Sequence, residues 1–175
     1  GLDPVSSCIL QISAIRQDGQ PFHSYMKPFP NADIQDKALA VNGIRREQFP
    51  TFPDPALVAD QFLDFLRPQA PKIILAGHNF LKFDLPFIYQ WFHRVKKFPL
   101  LEAMIQHYAL DTLPIALALQ DAGVLKTYNG YMNLASLTKA LGVINTKEHD
   151  ASGDILATKL CYEKMIILIR PVVTA

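Results

Sequence analysis

Residues 72–89, KIILAGHNFLKFDLPFIY, constrain the fold more than any other stretch of the chain. An apolar run from Ile73 to Ala76 breaks at Gly77 into a polar loop, and an amphipathic segment then opens with Asp84 and Pro86. A short apolar run bounded by a turn signal predicts a strand buried on both faces, and Asp followed by Pro suits the first turn of a helix, here to about Val95. His78, Asn79 and Asp84 are therefore expected at the C-terminal edge of a strand. Ligands of open α/β sheets bind at that edge, so a carboxylate held there is a candidate metal ligand. The alternative is that Asp84 does no more than cap its helix.

At 175 residues, half of them apolar, the chain is long enough for one domain spanning 1–175 with a proper core. The formal charge of +1 provides no field that would advertise nucleic acid, although a local basic cluster can still hold a phosphate backbone. Cys8 and Cys161 lie far apart in apolar segments, which fits buried thiols in a reducing compartment rather than a disulfide framework. The longest apolar runs are about five residues, far short of the ~20 that span a bilayer, and no basic region precedes a hydrophobic core at the N-terminus. A cytoplasmic protein without a membrane partner is expected.

Cys8 to Ile15 reads as a strand, Asp18-Gly19 as its turn, and Gln20 to Lys27 as the hairpin partner. After an irregular region carrying Asn42-Gly43-Ile44, Asp54 opens a helix with Leu57, Val58, Phe62, Phe65 and Leu66 at core-facing spacing. Beyond the central strand and its helix, Met104 to Leu110 reads as another strand. Asp111 or Thr112 then caps a helix over Ile115–Gln120. Gly123 to Asn133 is the most polar connection, where Tyr128 and Tyr131 beside Lys126 either stack bases or belong to a solvated loop. A helix from Leu134 to Leu141 ends at Gly142, and a long one runs from about Asp150 to Arg170, stopped by Pro171.

The second constellation is His149-Asp150-Ala151-Ser152-Gly153-Asp154. If Asp150 is the N-cap, His149 and Asp154 occupy N′ and N4, which meet in the hydrophobic-staple geometry. Asp154 also heads the row Thr158, Cys161, Met165, Leu168 on one helix face. A carboxylate on an inward stripe needs a basic side chain or a cation, because burying it alone costs several kcal/mol. Lys147 and Lys159, the nearest basic residues in sequence, need not point that way, which favours a cation.

These residues carry a resemblance to the DnaQ-like 3′-to-5′ exonucleases of the ribonuclease H-like superfamily, in the subgroup with a catalytic His. Asn79-x-x-x-Phe83-Asp84 is similar to the family's second motif and His149-x-x-x-x-Asp154 to its third. Ala40-Val41-Asn42-Gly43-Ile44, Leu110-Asp111-Thr112-Leu113 and Leu134-Ala135-Ser136-Leu137 before Leu141-Gly142 match weaker landmarks in the same order. The resemblance implies a mixed five-stranded sheet flanked by helices and a hydrolase that removes nucleotides from single-stranded DNA or RNA 3′ ends. It implies two Mg²⁺ or Mn²⁺ ions ~3.5 to 4 Å apart, with Asp84 and Asp154 among four metal carboxylates. His149 is implied as general base, a task for a group titrating near neutrality, whereas hard cations take oxygen ligands. Leu2, His78, Asn79 and Phe83 are expected to wall the substrate pocket, with Leu2 and Phe83 against the terminal bases. For Phe83 a core position under the helix is the alternative, and for His149 a helix-entry hydrogen bond.

The family's first motif, an Asp-x-Glu supplying the other two carboxylates, occurs nowhere in residues 1–175. These residues are therefore expected to bind the metals weakly or not at all. The strand bearing that motif lies mid-sheet in the fold this chain resembles, between the Cys8–Ile15 and Lys72–Ala76 strands. The sheet should accordingly show a gap there, and residues preceding Gly1 in the natural protein are expected to fill it. Unfilled, the gap would orphan backbone groups at ~1 to 3 kcal/mol each, so a chain starting at Gly1 is not expected to fold alone. Three functions compete: an exonuclease, a noncatalytic module of the same fold that binds nucleic acid or a protein such as a polymerase, and, more remotely, a ribonuclease H-like enzyme with another phosphodiesterase activity; the first is favoured because His78, Asn79, Asp84, His149 and Asp154 have no evident joint structural role. A homodimer is compatible with each.

Overall fold

The structure is a computed structural model describing residues 2–67, 72–126, 131–145 and 151–170. Strands β1 (Gln11–Ile15) and β2 (Pro21–Tyr25) form the expected antiparallel hairpin, with Ser13 opposite His23. Its turn needs Gly19, whose φ of 90° is a conformation that side chains with a Cβ rarely adopt. Asp18 braces the turn by accepting from the Arg16 guanidinium at 2.7 Å and from the Gln20 N–H at 3.1 Å. The stretch read as irregular contains helix α1 (Asp36–Asn42) and a 3-10 turn (Arg46–Thr51) around a small cluster of Leu39, Ile44 and Phe52.

Helix α2 (Pro55–Leu66) starts as expected at Asp54, whose carboxylate accepts the Ala56 N–H at 2.8 Å. It buries Val58, Ala59, Phe62, Leu63 and Leu66, but Leu57 is 52 % exposed, because at 100° per residue it falls on the helix face opposite those positions. Helix α3 (Asp84–Arg94) packs Trp91 and Phe92 against Phe62 of α2 and buries Phe87, Ile88, Trp91 and Phe92. Two polar ties hold α2's first turn to this region, from the Trp91 indole N–H to the Pro55 carbonyl and from the Lys97 ammonium to that of Ala56, both at 3.0 Å. Residues 98–104 were not anticipated as the helix they form, α4 (Phe98–Met104). Pro99 falls in its first turn, where the missing N–H breaks no helical bond.

The central strand is shorter than its apolar run. Only β3 (Ala76–Gly77) pairs in parallel with β4 (Leu110–Asp111), and an isolated bridge joins Ile73 to Ile105. Burial on both faces does not hold either: Ile73 and Leu75 pack inward while Ile74 and Ala76 are exposed, the two-residue alternation of a one-sided strand. No ladder joins β1 to β3 among the described residues, so the mixed sheet is split into two pairs where a central strand was expected to be missing.

Helices α5 (Thr112–Asp121), α6 (Leu134–Leu141) and α7 (Ala151–Ile169) complete the chain. Gly142 takes the left-handed conformation that ends α6, and Lys164 donates to the carbonyls of Leu141 and Gly142. Along α7, Ala157, Cys161 and Met165 are buried, whereas Leu168, expected on the inward stripe, is 46 % exposed near the helix end. The apolar side chains form two main cores. One joins the hairpin, α2, α3 and the strand region through Phe62, Trp91 and Phe92; the other joins α5, α6 and α7 through Leu137, Cys161 and Met165. Among the described residues no helix is long and apolar enough to cross a membrane.

Candidate functional site

The β3–α3 loop is folded tightly by its own sequence. Gly77 has no room for a side chain, because a Cβ there would meet Cδ2 of the buried Phe80 ring at 2.6 Å. Asn79 takes φ 57°, in the left-handed region that Asn tolerates better than most residues. The Phe83 N–H then bonds to the Asn79 carbonyl at 3.1 Å and the Leu85 N–H to that of Phe80 at 2.9 Å, so the chain enters α3 with a fixed approach.

Asp84 is the first residue of α3, and the N-cap position belongs to Phe83, which makes no side-chain cap bond. The capping alternative for Asp84 therefore does not describe it. The residue is exposed as a whole, yet crowding around its carboxyl desolvates the charged form and pushes the pKa up to about 6. Its own backbone N–H opposes the rise, and the Asp111 charge adds to it.

His78 is tied at both nitrogens, Nδ1 to the Thr112 hydroxyl and Nε2 to the Met132 carbonyl, each at 2.9 Å. A carbonyl only accepts, so Nε2 carries the proton, and in the neutral ring Nδ1 accepts from Thr112. Burial holds His78 below its ordinary pKa, against opposing contributions from the Met132 bond and Asp111. Its ring thus joins the end of β3 to α5 and to the segment before α6. Phe83 is 40 % exposed with its ring tilted against Phe87 at 5.4 Å, and Leu2 is 80 % exposed.

Asp154 lies in the first turns of α7, which packs on β1 and α6 and also touches β3. It is half-buried, and its Oδ1 accepts from the Asn145 amide at 2.8 Å. A neutral amide is thus a partner of this carboxylate, for which its place on the inward stripe predicts a basic side chain or a cation. His149, Asp150, Lys147 and Pro171 lie outside the described residues, as do Tyr128 and its neighbours at 127–130. Neither Asp84 nor Asp154 forms an ion pair among the described residues. Two carboxylates of this kind are the donor chemistry of a hard divalent cation. Among the described residues, however, no group of three or more His, Cys, Asp or Glu side chains is close enough to hold a metal.

Asp111 is the residue whose importance the sequence understated. It caps α5, accepting the Leu113 N–H at 3.0 Å, and it also accepts two N–H groups of the β3–α3 loop.

An antiparallel and a parallel strand pair, flanked by helices and with a carboxylate beyond the C-terminal end of β3, are compatible with a ribonuclease H-like protein. Comparison of the whole chain agrees with that class: it superposes on an apo structure of exonuclease I with a TM-score of 0.79, at 24% identity over 98% of this chain and 40% of that one. Escherichia coli exonuclease I in complex with a 5cy-dT13 oligonucleotide gives a TM-score of 0.80, at 24% identity over 98% of this chain and 39% of that one. In sequence, the chain is 28% identical over 178 residues to exodeoxyribonuclease I of E. coli K12, a match covering 90% of this chain and 36% of the relative. The RNase_T family model, described as exonuclease, matches residues 1–162, and the chain belongs to this family of DnaQ-like 3′-to-5′ exonucleases. It spans little more than a third of the curated relative's length.

Proposed function

We propose that the full-length protein is a metal-dependent 3′-to-5′ exonuclease acting on single-stranded DNA, with Asp84 and Asp154 as metal carboxylates and His149 as general base. The observation that carries this reading is Asp84. It stands at the helix start beyond β3, has no ion-pair partner among the described residues, and is destabilised in its charged form. A bound cation relieves that penalty. DNA is preferred over RNA because the relative is named an exodeoxyribonuclease and its solved complexes include one with single-stranded DNA and zinc ion. Mg²⁺ or Mn²⁺ remains the proposed physiological pair, since the two Asp residues offer hard oxygen donors.

When bound, such ions activate the attacking water and neutralise charge at the scissile phosphate. The chain's own residues do the rest. Asp84 and Asp154 would hold such ions by supplying negative charge from two different helices, α3 and α7. A neutral His149 takes the proton from the attacking water. His78 and Asn79 build the wall beside the strand edge, with the His78 ring locked by Thr112 and Met132. The exposed Phe83 ring and Leu2 offer apolar surface to the terminal bases, which any base accepts.

The test uses the full-length protein, calorimetric Mg²⁺ and Mn²⁺ titration, and digestion of labelled single strands of DNA and RNA. Asp84→Ala and Asp154→Ala are expected to lose metal affinity and digestion together. His149→Ala is expected to bind metal nearly as the wild type does while digesting ~10²-fold more slowly or worse. Equal loss of metal affinity in all three variants would refute this division of roles. No digestion by the wild type with either metal would favour the noncatalytic reading, and preference for RNA would overturn the substrate assignment.

A further inference from the structure

The three bonds accepted by Asp111 differ in reach. Its Oδ1 takes the Leu113 N–H at 3.0 Å, the local bond of a helix N-cap. The same oxygen also takes the Asn79 N–H at 2.9 Å, and Oδ2 takes the Leu81 N–H at 3.0 Å, from residues 32 and 30 positions earlier. A cap accounts for the first bond only. The other two fasten the turn whose backbone passes through the left-handed Asn79 and delivers Asp84 to the start of α3.

The loop needs such a fastening. β3 and β4 pair over only two residues each, with Gly77 opposite Asp111, so the ladder ends where the loop begins. Beyond it, the Asn79 and Leu81 amides point at one side chain, and both bonds are charge-assisted, the stronger kind. Both oxygens of Asp111 are committed to these amides, which makes it a poor candidate for a metal ligand itself.

We infer that Asp111 is a positioning residue: its carboxylate clamps the backbone of residues 79–81 and so sets where Asp84 stands. The inference rests on the metal-site reading above and deepens it. Ligands held by a supporting shell lose affinity when that shell is removed, commonly by 10- to 100-fold.

The discriminating substitution is Asp111→Ser. Serine caps helices about as well as aspartate, so the α5 cap survives. Its single short oxygen, committed to Leu113, cannot also serve the Asn79 and Leu81 amides. In the full-length protein, Asp111→Ser is expected to melt within a few degrees of the wild type. Its Mn²⁺ affinity by calorimetry is expected to fall about tenfold or more, and saturating Mn²⁺ to restore most of the digestion rate on labelled single-stranded DNA. Rescue by metal separates misplacement of Asp84 from general damage. Asp111→Asn keeps an oxygen for Leu113 and Asn79 but turns an amide donor toward the Leu81 N–H, so its affinity should fall between the two. That variant carries the test if Asp111→Ser does not fold. Wild-type Mn²⁺ affinity in a folded Asp111→Ser, or in Asp111→Asn where the serine variant is unfolded, would make Asp111 a helix cap only and overturn the inference alone. Absence of Mn²⁺ binding in the wild type would overturn the metal-site reading and this inference with it.

Discussion

Asp84→Asn is expected to stabilise the metal-free protein at pH 8. The Asp84 carboxyl ordinarily titrates at 3.8 and is raised to about 6, chiefly by desolvation. Between those values the folded state binds more protons than the unfolded state, so stability falls as pH rises through the window, and the whole deficit is present above it. A fully desolvated group with this change would lose ~3 kcal/mol. Asp84 keeps more than a third of its surface, and solvent screening reduces the figure to ~1 kcal/mol. Asparagine has nearly the same shape and no charge, so the variant should recover that amount, a rise in melting temperature of ~2–4 °C for a domain of this size. The assay is thermal melting of the full-length protein in EDTA at pH 8 and at pH 3, where the gain should nearly vanish because both wild-type states are then largely protonated. Millimolar Mg²⁺ at pH 8 should reverse the order, since only the wild type gains from binding. A variant that melts at or below the wild type in EDTA at pH 8, or that keeps its advantage at pH 3, would refute the reasoning.

Two further outcomes follow from the same loop. Phe83→Ala should weaken binding of a short single strand by ~1–3 kcal/mol, the usual worth of one base stacked on an aromatic ring; unchanged affinity in a fluorescence titration would place Phe83 outside the substrate path. Gly77→Ala should destabilise the protein by ~1–3 kcal/mol, because the new methyl group meets a buried Phe80 ring that has little room to turn. An unshifted urea midpoint would show that the loop yields instead.

The sequence announced those elements whose cause is local. Asp54 before an apolar helical stripe, the Asp18-Gly19 turn and Gly142 after α6 each act within a few residues, and each stands where expected. Errors arose where the cause is not local. Pro99 reads as a break unless it is known to fall in a helix's first turn, and the four apolar residues Ile73 to Ala76 do not say which face has a partner. The candidate site was legible for the same reason in reverse: His78, Asn79 and Asp84 follow one another across a strand–loop–helix junction, so their shared edge follows from the order of elements. Asp111 was legible only as a cap, because no periodicity links it to amides 30 and 32 residues away. The Asn145 amide on Asp154 had no sequence signal at all.

The two main cores have a consequence for how the site comes apart. Asp84 belongs to the α2–α3 body, fastened by Trp91 and Lys97, while Asp154 rides on α7 with the smaller α5–α6 core. Cooperative opening follows such bodies rather than whole chains, and the smaller core has less apolar area to hold it shut. Amides of α5, α6 and α7 should therefore exchange with solvent through a sub-global opening that leaves α2 and α3 protected. In that opened state the two carboxylates are parted before either helix has unravelled. A cation held by both would then tie the two cores together beyond the packing of α7 on β1, slowing exchange in the smaller one most.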